Sequence, residues 1–295
     1  MSRYDLAKWI YEQRYLHRTI RVSLAKIIAP GFRKGHTFKT DFFGMEWSGK
    51  TNNYLDYQVL LRGAYEKFML FFMRDMLLAT EEKKIVMDIG ANIGNHALFI
   101  SKFASTVHAF EPYEPARASL EEKIQVNNIK NIIIHPLGLS DQKESIPYYP
   151  QDTECIGTGS FEKGFCASDE KNAITLEVDR GDDIVAAKNI SDVGLIKIDV
   201  EGFEIQVLKG LRSTLSNNRP VVIFETLPGT RESTETDLEI MSSLFPEKYS
   251  FFVFSRRDKK EGCYSLRRVT SVDSLQSNDI IACPDEQTTS LKHIT

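Results

Sequence analysis

The sequence contains no long hydrophobic run, which argues against a membrane-spanning chain. Its 295 residues are 42% hydrophobic, yet no stretch of 18 apolar residues occurs, and the first residues lack the apolar core and cleavage site of a signal peptide. We therefore expect a cytoplasmic protein. A chain of this length and composition can bury a sizeable core, and we predict one main domain with an appendage.

Cysteine is scarce and is not paired in sequence. None of the four cysteines forms a Cys-x-x-Cys pair or lies near a histidine at a spacing typical of zinc ligands; they are Cys155, Cys166, Cys263 and Cys283. This pattern argues against a zinc site and against a disulfide framework. We expect reduced thiols.

A three-glycine dinucleotide fingerprint is also missing from the first strong turn. Residues 86–96 read VMDIGANIGNH, in which Asp88, Gly90, Asn92 and Gly94 follow an apolar strand. The two glycines would let the backbone approach a ligand where a Cβ would collide. An acidic turn repels a pyrophosphate but attracts a cationic amino-acid group. S-adenosylmethionine (SAM) carries such a group, although a generic glycine-rich turn is an alternative.

A second acidic residue strengthens the prediction of a nucleoside site. Residues 107–112 read VHAFEP, so Glu111 closes the next apolar strand. A carboxylate at that position can accept hydrogen bonds from the two ribose hydroxyls. The two motifs together favour SAM as the cofactor.

Five ordered motifs over roughly residues 60–228 resemble those of the FkbM-type SAM-dependent methyltransferases. They are DIGANIG at 88–94, AFEP at 109–112, LGLSD at 137–141, LIKIDVEGFEIQVLKG at 195–210 and RPVVIFE at 219–225. The resemblance implies that Ser140 and Asp141 contact the adenine and that Glu66 meets the methionine ammonium. A turn-forming role for Asp141 and a solvated helix charge at Glu66 are the alternatives.

The pattern from residue 85 onward alternates apolar strands with amphipathic segments, which is typical of a parallel sheet covered by helices. We predict an α/β fold with a seven-stranded, mostly parallel, doubly wound sheet, and the class I resemblance implies an antiparallel seventh strand. The predicted strands are 85–89, 107–110, 132–136, 193–199, 221–225, 250–254 and 280–283, and the predicted helices are 63–79, 95–103, 115–127, 203–208 and beyond, and 233–245.

The amino-terminal region differs in charge from the rest of the chain. Residues 1–40 hold nine Lys or Arg against two acids, a balance of +7, whereas the whole chain carries −4. Helical spacing over residues 3–28 places an apolar arc opposite basic residues. This arc packs on the body or a second subunit, as in a homo-oligomer, or lies on the inner face of a membrane. We assign 1–60 to this helix and a hairpin or irregular cap, and 61–295 to the catalytic domain.

Carboxylates at strand ends supply the candidate catalytic groups. Ligands of open α/β sheets bind at the carboxyl ends of the strands, which places Asp199, Glu201 and Glu225 with Lys197 as candidates for deprotonating a hydroxyl. Strand alternation puts Lys197 and Asp199 on one face, where they either act in catalysis or form a structural ion pair. Glu204 is expected to be a first-turn helix carboxylate.

Two cofactor interpretations are weaker. His96 opens the first helix and either contacts the cofactor or only caps and packs there. Asp199 and Glu225 resemble Mg²⁺ ligands of metal-dependent O-methyltransferases. The FkbM resemblance requires no metal, so Mg²⁺ is possible but not favoured.

The acceptor is the least defined part of the prediction. Residues 142–180 are too long for a plain connection and suggest a substrate lid with Tyr148, Tyr149, Phe161 and Phe165. We predict O-methylation of a sugar, glycan or small metabolite. A non-catalytic SAM-binding scaffold docking through its basic arm is the alternative. Nucleic acid is an unlikely acceptor because the body is acidic and no (N/D)PPY-type run follows the fourth strand.

Overall fold

The computed structural model describes residues 35–80, 84–150, 159–160, 173–225, 242–257, 263–269 and 279–291, with scattered positions between 6 and 28. Its centre is an eight-stranded sheet in the order β13-β12-β14-β11-β10-β3-β4-β5. The strands are β3 Ile85–Ile89, β4 Thr106–Phe110, β5 Ile132–His135, β10 Val193–Ile198, β11 Val221–Glu225, β12 Tyr249–Arg257, β13 Tyr264–Arg268 and β14 Asp279–Pro284.

The five strands from β11 to β5 are parallel, and β14 runs antiparallel between β11 and β12. This arrangement confirms the predicted doubly wound α/β sheet with its antiparallel seventh strand. The expected number of seven strands was one too few. The additional strand is β13, an edge strand that pairs antiparallel with β12. Its alternation is visible afterwards, since Tyr264 and Leu266 are buried, whereas Ser265 and Arg267 on the other face are half-buried.

The sheet separates two hydrophobic cores because successive side chains of a strand point to opposite faces. On β11, Val221 and Ile223 belong to one core, whereas Val222 and Phe224 belong to the other. Strands buried on both faces explain why the sequence shows continuous apolar runs here instead of alternation. Polar residues are therefore left mainly at the strand ends, where the site lies.

The helices cover both faces. Those with defined bounds are α1 Tyr54–Arg62, α2 Lys67–Leu78, α3 Asn95–Ile100, α4 Glu114–Val126, α5 Gly181–Ala187, α6 Glu204–Gly210 and α7 Arg212–Asn218, followed by a 3₁₀ helix at Asp285–Ser290. The prediction of one helix at 63–79 was wrong about where the helix begins, since α2 starts at Lys67. Gly63 in the left-handed region ends α1, and Glu66, also left-handed, precedes α2. Most of the helix predicted at 233–245 lies outside the described residues.

Two small sheets flank the central one. The hairpin β1 Thr37–Phe42 and β2 Met45–Lys50 confirms the hairpin expected around Gly44, and reciprocal hydrogen bonds of 2.8 Å tie Glu46 to Asn127. The second sheet holds β6 Gly138–Ser140, β7 Glu144–Pro150, β8 Gly159–Ser160 and β9 Ile174–Arg180 in the order β6-β9-β7-β8. Much of the segment predicted to be a lid is therefore β-structure.

The amino-terminal segment exposes part of its apolar arc. The described positions Leu6, Ile10 and Ile28 are half-buried, whereas Trp9, Ile20, Leu24 and Ile27 are exposed. Packing on the body thus does not cover these four residues. No helix in the described parts of the chain is both long and apolar enough to cross a bilayer.

Candidate active site

Two neighbouring cavities open at the carboxyl end of the parallel strands. Cavity A, of about 730 Å³, is lined by Ile89, Gly90, Asn92, Glu111, Pro112, Tyr113, Ala116, Gly138, Leu139, Ile146, Tyr148, Leu176, Val178, Asp199, Val200, Glu201 and Phe203. Cavity B, of about 1050 Å³, is lined by Tyr54, Leu55, Tyr65, Glu66, Met69, Gly90, Ala91, Asn92, Asn95, His96, Lys197, Ile198, Asp199, Glu201, Ile223, Phe224, Glu225, Arg257 and Asp279. Their position follows from the doubly wound sheet, in which ligands bind beyond the strand ends.

The turn after β3 places Gly90 between the two cavities. Its φ is +81°, and a Cβ there would overlap the carbonyl oxygen of Asp199. Glycine is therefore required so that the loops after β3 and β10 can meet. Gly94 has a different role, because a Cβ there would strike the Leu120 side chain and Gly94 lines neither cavity. We had expected both glycines to approach the ligand.

Glu111 is held rigidly in cavity A. Its Oε2 accepts a hydrogen bond from the Asn92 backbone amide and its Oε1 accepts one from the Tyr113 amide, both at 2.8 Å. Burial raises the pKa of Glu111 to about 7, while these two amides oppose the shift. Each oxygen keeps a second lone pair. The carboxylate can therefore accept from two adjacent hydroxyls in a fixed orientation.

The remaining wall of cavity A is mostly apolar. Ile146 and Tyr148 of β7 and Leu176 and Val178 of β9 face it from the small sheet. The expected lid residue Tyr148 thus lies at the Glu111 side, tilted against Tyr113 at 5.4 Å between ring centroids. Tyr149 is half-buried, and Phe161 and Phe165 lie outside the described residues.

Of the LGLSD motif, only part lines cavity A. Gly138 and Leu139 line cavity A, but Ser140 and Asp141 do not. Ser140 is buried, and its backbone packs directly against Gly210 of α6. The LGLSD motif therefore contributes to this cavity through its first half.

A buried charge network lies beneath the junction of the two cavities. Lys197 Nζ lies 2.8 Å from Asp199 Oδ2, and Lys197 is the strand neighbour of Asp88. Burial opposes the Lys197 charge, but Asp199 and Asp88 hold the pKa of Lys197 above its ordinary value. This confirms that the side chains of Lys197 and Asp199 meet.

Asp88 is fully buried and lines neither cavity. Neither of its carboxylate oxygens has a hydrogen-bond partner of normal geometry, although the Ala97 amide faces it. Burial raises its pKa to about 6, and Lys197 opposes that shift. An unsatisfied buried carboxylate is costly for the fold. When it is ionised, Asp88 contributes negative potential from behind the cavity wall.

Glu66 and His96 face each other across cavity B. Glu66 Oε2 lies 3.6 Å from His96 Nε2, and Glu66 has a left-handed backbone with φ of 46°. Burial raises the pKa of Glu66 to about 8, assisted by Asp279 and Asp199. Burial also holds the pKa of His96 well below its ordinary value, so this imidazole is neutral at pH 7.

The loop after β10 projects Glu201 into both cavities. Glu201 is left-handed with φ of 52°. Glu204 fixes the loop, because its carboxylate accepts hydrogen bonds from the Val200 amide at 3.0 Å and the Gly202 amide at 3.1 Å. Glu204 lies in the first turn of α6, as expected, and it also fixes the preceding loop. Burial raises the pKa of Glu201 to about 8, and Asp199, Glu225 and Glu204 add to the shift.

Sequence reasoning missed five polar residues of cavity B, which are Tyr54, Tyr65, Asn95, Arg257 and Asp279. Tyr65 precedes α2, Arg257 ends β12 and Asp279 begins β14. Asp279 could have been found, since the start of an antiparallel strand lies beside the end of its parallel neighbour, and it pairs with Glu225. No sequence signal pointed to Arg257 or Tyr65.

The residues fit SAM better than they fit a metal. Apolar walls beside the fixed Glu111 suit a nucleoside, and the acidic groups of cavity B suit a sulfonium and an ammonium. Within the described ranges, no three His, Cys, Asp or Glu side chains form a group able to hold a metal ion. The Mg²⁺ considered for Asp199 and Glu225 has no support there. Cys263 and Cys283 are free thiols, and the other two cysteines lie outside the described residues.

The sheet order and the site define a class I SAM-dependent methyltransferase fold. The model of the methyltransferase FkbM domain matches residues 88–253, more than half of the chain. The chain belongs to the FkbM methyltransferase family.

Several relatives match part of the chain. Hexuronic acid methyltransferase AglP of Haloferax volcanii is 29% identical over 151 residues, covering 51% of this chain and 59% of that protein. The 31-O-demethyl-FK506 methyltransferase FkbM of Streptomyces tacrolimicus is 29% identical over 157 residues, covering 43% of this chain and 59% of that protein. This chain thus spans 59% of the length of each of these curated relatives.

Among solved structures, methyltransferase FkbM from Methylobacillus flagellatus is 19% identical with a TM-score of 0.47. The match covers 77% of this chain and 53% of that chain.

Proposed function

We propose that the protein transfers a methyl group from SAM to a hydroxyl of a sugar or a related small metabolite. One observation carries this proposal: Gly90, Asn92, Asp199 and Glu201 line both cavities. A cofactor whose nucleoside lies in cavity A and whose sulfonium reaches this junction would meet an acceptor in cavity B. One relative is named for a hexuronic acid and another for an O-demethyl acceptor, which supports an oxygen acceptor.

Bound SAM supplies a methyl group on a sulfonium, an activated donor that leaves as a neutral thioether. The protein then has to align the acceptor and remove its proton. In this proposal the acceptor oxygen bonds to the methyl carbon as the carbon–sulfur bond breaks, and the hydroxyl proton passes to a carboxylate. Glu201 is best placed, because Asp199 is paired with Lys197 and Glu225 lines cavity B alone.

The backbone of Glu201 supports this assignment. A non-glycine residue in the left-handed region costs about 1–3 kcal/mol and persists where the surrounding structure requires it. Here the hydrogen bonds of Glu204 hold the loop in this strained conformation, which keeps the Glu201 carboxylate at the junction of the two cavities. Lys197 holds Asp199 in place and offsets the crowded negative charge. Glu66 faces the ammonium side of cavity B.

Substitution of Glu201→Gln tests the assignment. Loss of a general base lowers kcat by roughly 10²–10⁴-fold, whereas the SAM dissociation constant measured by calorimetry changes little. For the parent protein at saturating SAM, kcat/KM for a hydroxylated acceptor rises with pH through the pKa of Glu201, which is about 8 without the cofactor. A bound cation lowers that midpoint, and the substitution abolishes the rise.

The matched control is Glu121→Gln on α4, whose carboxylate is half exposed and lines neither cavity. It leaves rate and pH profile unchanged. Full activity of the Glu201 variant would remove Glu201 from the mechanism. Tight SAM binding without a methylated product from any hydroxylated acceptor would favour the non-catalytic scaffold.

A further inference from the structure

Cavity B contains a fixed pair of opposite charges. Arg257 Nη1 lies 3.0 Å from Asp279 Oδ2, and both residues line the cavity. The guanidinium also lies over the rings of Phe68 and Phe254, at 5.6 and 5.9 Å from their centroids. The planar Arg257 donors and the Asp279 carboxylate are therefore held side by side. Such a pair can donate to one hydroxyl and accept from its neighbour.

An aromatic ring also lines cavity B. Tyr54 begins α1 and is 38% exposed, although most tyrosines of the fold are buried or half-buried. Its ring meets Tyr65 edge to face, with centroids 6.0 Å apart. Tyr65 thus holds Tyr54 so that part of its surface remains available. Tyrosine supplies a rigid contact area with a polar tip, which suits the apolar face of a sugar ring.

The charges of cavity B disfavour an anionic acceptor. Five carboxyl groups line it, and the two cations among its described lining residues are each paired with one of them, Lys197 with Asp199 and Arg257 with Asp279. Like charges already add to the raised pKa values of Glu66 and Glu201. A carboxylate on the acceptor would lie among these carboxyl groups, and both cations of the described lining are already paired.

We propose that the acceptor ring is an uncharged sugar with vicinal hydroxyls, stacked on Tyr54 and gripped by the Arg257–Asp279 pair. A ring that bears a carboxylate is rejected. This inference rests on the proposed function, since it identifies the acceptor of the same reaction. Arg257, Asp279 and Tyr54 are then specificity determinants, not catalytic residues.

The test compares two acceptors that differ only at C6, a methyl hexopyranoside and the corresponding methyl hexuronopyranoside. With labelled SAM, we expect kcat/KM to favour the neutral ring by about tenfold or more, because juxtaposed like charges are strongly unfavourable. Tyr54→Ala raises KM for the neutral ring and leaves the SAM dissociation constant unchanged. Asp279→Asn removes one carboxylate beside the Arg257 guanidinium and shifts the preference towards the uronic acid.

The matched control for Asp279→Asn is Glu286→Gln. It removes the carboxylate beside Arg219, at the amino-terminal end of β11 and far from cavity B. The acceptor preference of this variant stays that of the parent protein. A loss of stability common to both variants is thereby separated from a change in selectivity.

The possible outcomes distinguish the inference from the proposed function. Equal or faster methylation of the uronic acid, or of the corresponding 2-amino sugar, overturns the inference alone. If neither ring nor any other hydroxylated acceptor is methylated, the proposed function fails. Ligand-detected NMR with protein loaded with S-adenosylhomocysteine then decides the inference: selective binding of the neutral ring supports it, and equal binding or none overturns it.

Discussion

At the scale of single residues, Glu111 shows how a short motif encodes a fixed geometry. Both carboxylate oxygens are already held by backbone amides, of Asn92 and Tyr113. An isosteric amide cannot replace this group, because its NH₂ would face one of those amides. The acid is therefore required both to hold the turn and to bind hydroxyls.

We accordingly expect Glu111→Gln to weaken SAM binding at least about tenfold, because the ribose hydroxyls lose a charged acceptor. We also expect a loss of stability of about 1–3 kcal/mol, because one backbone amide is left unsatisfied. Calorimetric titration with SAM measures the affinity, and thermal unfolding reports the loss of stability. Glu114→Gln, three residues further on and exposed, serves as the control with unchanged affinity. A Glu111 variant that binds SAM as the parent protein does would contradict the assignment of cavity A.

Cavity-lining side chains at the strand ends were predictable from the sequence. Glu111, Asp199 and Glu225 close apolar runs, and the structure places each on a cavity. Contacts set by tertiary packing were not predictable. Leu139 and Gly138 line cavity A in place of Ser140 and Asp141, because the close approach of α6 directs the second half of that motif into the packing.

At the scale of elements, the strands at the centre of the sheet were the most predictable. β3 and β11 begin and end where the apolar runs do, since both faces of these strands are buried. Elements at the periphery of the fold were less predictable. α1 was missed because Asn53 and Gly63 cap a short segment within a turn-rich region, and β13 because an edge strand carries arginines.

The contact between α6 and β6 leads to a prediction at this scale. A Cβ on Gly210 would overlap the carbonyl oxygen of Ser140, so Gly210→Ala forces α6 away from β6. Overpacking of this kind costs about 1–3 kcal/mol. We also expect weaker SAM binding, because Leu139 in the same strand lines cavity A. Urea denaturation and calorimetry provide the two measurements.

Gly44→Ala is the control for the Gly210 variant. No atom lies within 4 Å of a Cβ at Gly44, although its φ is +83°. We expect this hairpin variant to lose roughly 1 kcal/mol from backbone strain and to keep its SAM affinity. If Gly210→Ala is as stable as the parent protein, then the helix and strand tolerate separation and the close contact has no structural importance.

At the scale of the whole molecule, buried ionisable groups give stability two opposing dependences on pH. Burial lowers the pKa values of His108 and His135, the latter to about 4, and their rings stack with a 2.9 Å hydrogen bond between them. The unfolded chain binds protons at these sites more readily than the native state. The contribution of the two neutral histidines to stability is complete above the unfolded pKa near 6.5, and it is lost as the pH falls towards 4.

The buried carboxyl groups act in the opposite direction. The pKa is raised by burial to about 8 for Glu66 and Glu201, to about 7 for Glu111 and to about 6 for Asp88. The native state therefore retains protons that the unfolded chain has already released. Their contribution to stability is complete below the unfolded pKa of about 4, and it is lost as the pH rises through the native values.

We therefore expect the Tm of the ligand-free protein to fall between pH 6.5 and 8.5, where only the carboxyl groups change the balance. SAM should raise Tm more at pH 8 than at pH 6, because its cationic groups stabilise carboxylates that have lost their protons. Differential scanning fluorimetry across this range measures both effects. Glu66→Gln removes one titrating group and flattens the slope, whereas Glu121→Gln on the surface leaves it unchanged. A constant or rising Tm in the ligand-free protein would show that these carboxyl groups are not held protonated by the fold.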